Sequence, residues 1–105
     1  MSAQPAWCPV AATVEVIGGK WKPTILLQLK DGPKRFNELR RLIPDITQRM
    51  LTLQLRALED HGVVRREVRG QIPPHVEYSF TDKGLTLGMI LDAMESWGTA
   101  HGARG

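Results

Sequence analysis

The sequence has 105 residues, 42% of them apolar and 24% charged, with a formal net charge of +3. That is one domain with one core, burying roughly 65% of its unfolded surface; disorder and a two-domain enzyme are excluded. No apolar run approaches the ~20 residues of a membrane span, no signal peptide is visible, and the single cysteine, Cys8, allows no intrachain disulfide, so a cytoplasmic protein is expected.

Pro9 at the first helical position and Gly18-Gly19 just past the end frame a first helix bearing Val10, Val14 and Ile17. A second helix admits Pro23 in its first turn, turns Ile25, Leu26 and Leu29 inward, and ends at Gly32-Pro33. Lys34-Arg35-Phe36 predicts a very short strand. Asn37 is the expected N-cap of a third helix over 38–43, with Leu39, Leu42 and Ile43 inward and Pro44 as its stop. Thr47 caps a fourth helix, apolar-periodic to Leu58 and closed by Gly62. After Gly62 the period changes from 3.6 to 2: Val64, Arg66 and Val68 alternate with Arg65, Glu67 and Arg69, and Val76, Tyr78 and Phe80 with His75, Glu77 and Ser79. The stretch Gly70 to Pro74 between them reads as a hairpin tip. Thr81 is then expected to cap one long final helix carrying Leu87, Ile90, Leu91, Met94 and Trp97.

Two helices joined by a tight turn and followed by a β-hairpin make an α+β winged helix-turn-helix. On a helical wheel the fourth helix puts Leu51, Leu55, Leu58, Met50, Ala57, Ile46 and Leu53 on one arc. Gln48, Glu59, Thr52, Arg56, Arg49 and Asp60 take the other, from about 60° to 180°. Glutamine bonds adenine bidentately, arginine bonds guanine, and threonine adapts to either, so this face suits the major groove. The charge balance agrees. Residues 20–70 hold twelve Lys+Arg against six Asp+Glu, and the remainder two against five; one positive face fits a polyanion. The candidate DNA-binding residues are therefore Thr47, Gln48, Arg49, Thr52 and Arg56, with Arg65, Arg66 and Arg69 gripping the backbone from the hairpin. An apolar terminal helix needs a cover, so the first and last helices are expected to make a homodimer on an inverted-repeat operator. The competing reading is a winged-helix protein-interaction module that does not bind DNA.

Several motifs together resemble the HxlR-type transcriptional regulators, a group related to the MarR regulators. They are Cys8-Pro9, Gly18-Gly19-Lys20-Trp21-Lys22, Arg35-Phe36-Asn37-Glu38-Leu39, Thr47-Gln48-Arg49-Met50-Leu51-Thr52, Leu55-Arg56-Ala57-Leu58-Glu59, Pro73-Pro74-His75-Val76-Glu77-Tyr78 and Thr81-Asp82-Lys83-Gly84. The resemblance spans residues 8–98, which delimits the domain between tails at 1–7 and 99–105. It implies a bacterial homodimer that represses or activates nearby genes, often in response to reactive electrophiles. One departure is Leu53, where the family commonly carries a polar residue; it could touch a thymine methyl or simply pack.

Cys8 stands just before Pro9, where a thiol meets the positive end of the helix dipole. Two readings stand. The resemblance implies a sensor that forms an intersubunit disulfide or is alkylated by a small electrophile or oxidant; the alternative is a small apolar side chain packed against Trp7 or a partner chain. His61, His75 and His101 lie in three different elements without metal-ligand spacing, and no catalytic constellation or phosphate loop is present, so no metal, no cofactor and no enzymatic activity are expected. His61 is expected to help the end of the fourth helix, His75 to lie on the outer hairpin face, and Trp21 and Trp97 to serve core or interface.

Overall fold

A computed structural model describes residues 7–103. Helices α1 (Pro9–Ile17) and α2 (Lys22–Leu29) lead to a two-residue strand β1 (Lys34–Arg35), then to α3 (Phe36–Leu42) and α4 (Gln48–Asp60). Strands β2 (Val64–Arg69) and β3 (His75–Phe80) form the hairpin, and α5 (Asp82–Leu85) and α6 (Gly88–His101) follow. The sheet is antiparallel throughout, in the order β1-β3-β2, so the central strand is the last to be made. The tail expected at 1–7 lies, except for Trp7, outside the described residues, as do 104–105 of the other tail; α6 itself runs on to His101.

The core collects one face of each helix: Ile25, Leu26 and Leu29 from α2, Leu39 from α3, and Leu51, Leu55 and Leu58 from α4. Each such side chain contributes about 1.5–3 kcal/mol by leaving water. Tyr78 and Val64 close the core from the sheet. Only Ile17 of α1 and Leu91 of α6 are buried. α6 is tied to the body by Lys30, the C-cap of α2, which pairs with Asp92 and lies 3.9 Å from Glu95. Hydrogen bonding to Asp92 raises the Lys30 pKa above the usual lysine value. Water screens an exposed pair of this kind, so the buried side chains of Leu87 and Leu91 are the main hold on the start of α6.

Three expectations are corrected. The cap of α3 is Arg35, two residues before Asn37: Glu38 at the third helical position accepts a hydrogen bond from the Arg35 backbone N–H at 2.9 Å, half of a capping box. Leu39 and Ile43 face inward as expected, whereas Leu42 is exposed. The final helix is two helices. Thr81 caps only α5, through a bond from the Gly84 N–H, and Thr86 and Leu87 then close a tighter turn onto the carbonyls of Lys83 and Gly84. The break has a tertiary cause: Gly84 is buried against the Val63 carbonyl, which a Cβ would strike. Leu53 belongs to the wet face, not to the apolar arc; it is 58% exposed and packs against no core residue.

Candidate nucleic-acid interface

α4 is fixed at both ends by local chemistry. At its start the Thr47 hydroxyl accepts a hydrogen bond from the Met50 N–H at 3.0 Å. At its end the Gly62 N–H reaches the Glu59 carbonyl at 2.8 Å and the Val63 N–H reaches Leu58 at 3.2 Å, the two bonds of a Schellman motif. That motif requires the left-handed backbone of Gly62, whose φ is +76°. The His61 carbonyl accepts from the Lys83 ammonium at 2.8 Å, so a lysine of α5, not the His61 imidazole, serves the negative end of this helix.

With α4 so held, Gln48, Arg49 and Arg56 stand exposed on its outer side and Thr52 is half-buried between turns. The Thr52 hydroxyl donates to the Gln48 carbonyl at 3.0 Å, which leaves its lone pairs and methyl directed outward. Gln48, Thr52, Arg56 and Glu59 form one wall of an open groove of about 400 Å³; Arg66 and Tyr78 of the hairpin form the other. Glu59 thus lines the same groove as Arg56 and Arg66.

The hairpin arginines do not act as a trio. Strand alternation puts Arg66, opposite Tyr78 in the register, on the α4 side of the sheet, and puts Arg65 and Arg69 on the other side. There Glu67 and Glu77 face one another across the strands. Arg65 lies 3.8 Å from Glu67, Arg69 lies 3.2 Å from Glu67 and 4.0 Å from Glu77, and His75 bonds Glu77 at 2.9 Å. These exposed pairs are worth about 0–1 kcal/mol each. They damp the positive field of Arg65 and Arg69 without locking either side chain. Arg66 has no acidic partner among the described residues.

Sequence reasoning missed four contributors. Phe36 and Tyr78 line the groove, and Arg35 and Arg41 stand with His75 around a second, adjoining groove of about 340 Å³. The run of basic residues in α3 was the available signal for the last two. Cys8 is the N-cap of α1 and is exposed, as is Trp7. No described helix is long and apolar enough to cross a membrane, and no three His, Cys, Asp or Glu side chains gather as a metal site among the described residues.

A helix-turn-helix whose second helix is exposed along a polar, basic face, backed by a β-hairpin wing, is a winged helix-turn-helix of the transcription-regulator class. The chain belongs to the HxlR-like helix-turn-helix family, whose model matches residues 16–105. It is 57% identical over 94 residues to the HTH-type transcriptional regulator YdeP of Bacillus subtilis, covering 90% of this chain and 73% of that one. It is 52% identical over 96 residues to an HTH-type transcriptional regulator of Methanothermobacter thermautotrophicus, covering 91% and 73%. Among solved structures it is similar to the redox regulator HypR in its oxidized form, with a TM-score of 0.85, 57% identity and coverage of 90% and 97%. It is also similar to the reduced form of the transcriptional regulator YodB from B. subtilis, at 0.79, 36%, 89% and 92%. The protein is a transcriptional regulator, and the resemblance carried by its motifs is correct.

Proposed function

We propose that the protein is a cytoplasmic homodimer that binds an inverted-repeat operator in double-stranded DNA, and that small oxidants or electrophiles modulate that binding through Cys8. The observation that carries the DNA reading is the outward set Gln48, Arg49, Thr52 and Arg56 on a helix capped at both ends, with Arg66 facing it across an open groove. α4 lies in the major groove, Thr47 and the first-turn amides meet a phosphate, and the wing lies along the backbone. Arg66 is its principal phosphate contact, with Arg65 and Arg69 as lesser ones because Glu67 and Glu77 compete for them.

Dimerisation through α1 and α6 is supported by the apolar side chains that the single chain leaves in water, Val10, Val14, Met94 and Trp97 among them. Two reading helices about 34 Å apart then engage one face of the duplex. The expected result in sedimentation at micromolar concentration is a dimer, and one dimer per inverted repeat when DNA is added. A monomer that binds one chain per site contradicts this reading, and absence of any salt-sensitive DNA affinity favours a protein-interaction module instead.

The Cys8 reading is supported by the exposure of the thiol at the head of α1 and by the likeness to a redox regulator. With one cysteine per chain, diamide joins two Cys8 thiols of different subunits, taking two electrons and two protons as it is reduced to the hydrazine. A crosslink between the two α1 helices turns one subunit against the other and alters the spacing of the reading helices. Operator affinity of the wild type is expected to change with diamide or a quinone, while Cys8→Ser does not respond. Equal responses in both proteins, or none in either, would make Cys8 a structural residue.

A further inference from the structure

We propose that the Trp97 indole of each protomer seats in an apolar cleft beside α1 of the other, forming a reciprocal lock at the centre of the dimer. This rests on the homodimer reading above and specifies which parts of the two copies engage.

The cleft runs between α1, the Gly18-Gly19 turn and α6. It has a volume of about 500 Å³, its walls include Val10, Val14, Ile17, Pro23, Ile90 and Met94, and no charged side chain lines it. No described residue of its own chain fills it. The candidate filler is on the same chain: Trp97 is 66% exposed, and its ring lies 5.0 Å from that of His101, which holds the indole against the helix. On the wheel of α6, Ile90, Met94, Trp97 and His101 fall within about 60° of one another, so one stripe leads from the cleft wall to the indole. Residues 92–103 are exposed without exception, so this stripe continues past everything the chain itself can cover.

A hole on the body and a knob on the protruding helix suit a second copy, because a two-fold pair makes both contacts at once and closes. The spacing fits as well. A two-fold axis near Met94 sets the two α6 helices antiparallel, and Trp97 then lies about 4.5 Å beyond the axis. That brings it level with the turn of the other copy that holds Ile90, the residue forming the cleft wall. Trp7, Val10, Val14, Ile90, Met94 and Trp97 are all open to water, which gives an apolar surface of the kind that the core of a homodimer interface covers. Buried tryptophans at the centre of such an interface carry a large share of its affinity.

The test combines sedimentation of Trp97→Ala and Val14→Trp with Trp97 emission in a Trp7→Phe, Trp21→Phe background. Trp97→Ala removes the knob and Val14→Trp fills the hole from its own chain; both residues are exposed in the protomer, and circular dichroism checks that it stays folded. Each is expected to weaken dimerisation at least about 30-fold. Trp97 emission is expected at short wavelength in the dimer, moving to long wavelength on dilution in step with dissociation. Dimer affinity within threefold of wild type in either variant, or emission that ignores dilution, overturns the lock while leaving the homodimer standing. A wild-type chain that stays monomeric at every concentration overturns the homodimer reading itself.

Discussion

Arg49→Ala is expected to lower operator affinity by about 1–3 kcal/mol, a loss of roughly 5- to 150-fold, while affinity for unrelated DNA falls much less. Arg49 is exposed on the outer side of α4 and is held by no ion pair among the described residues, so its guanidinium is free to bond a guanine edge. Arg66→Ala belongs to a different class. With the proposed phosphate contact as its role, it is expected to weaken every sequence alike and make the slope of log K against log salt shallower by about one unit. Arg65→Ala and Arg69→Ala should change that slope by less, since Glu67 and Glu77 already take part of their charge. Binding titrations at four salt concentrations, on operator and on scrambled duplex, separate the two classes. An Arg49→Ala protein that keeps operator affinity would show that another face of α4 reads the DNA.

Leu55→Ala should cost about 2–5 kcal/mol of folding stability, whereas Leu53→Ala, two residues away, should fall within about 0.5 kcal/mol of wild type. Leu55 is 1% exposed and lies on the α4 face that meets the sheet, so its removal leaves a cavity; Leu53 is already in water. Against a total of about 5–15 kcal/mol for a chain of this size, the first loss is a substantial fraction of the whole. Urea unfolding of the two variants decides it. Equal destabilisation would mean that α4 is rotated about its axis from the orientation described.

That pair of leucines also marks how far the sequence could be read. The order of elements was legible because local signals set it: Pro9 and Gly18 around α1, Thr47 and Gly62 around α4, and the change of period after Gly62. The outer face of α4 was legible as far as its chemistry is polar. Leu53 was misplaced because the wheel sorts residues by polarity, and an apolar residue on the flank goes to the apolar side until packing is seen. The break before α6 has no Pro and no strong local stop; it arises from the approach of Gly84 to Val63, twenty-one positions away, which periodicity does not register. The partition of the hairpin arginines depended on the cross-strand facing of Glu67 and Glu77, which appears only with the register. The start of α3 was not legible because arginine is not a cap residue; only the bond from the Arg35 N–H to Glu38 marks it.

The corner where α4 ends has a mechanical consequence. Lys83 holds the His61 carbonyl, the Thr81 hydroxyl donates to Gly62, and Gly84 presses on Val63, so three successive residues at the end of α4 are each gripped from the α5 side. α6 leaves the same corner directly, since the Leu87 N–H bonds the Gly84 carbonyl at 3.0 Å. A rod of fourteen residues, about 21 Å long, is thus clamped at its base to the heel of the reading helix. On a rod of that length a displacement of about 2 Å at the far tip corresponds to a turn of about 5° at its base, the end that adjoins the heel of α4.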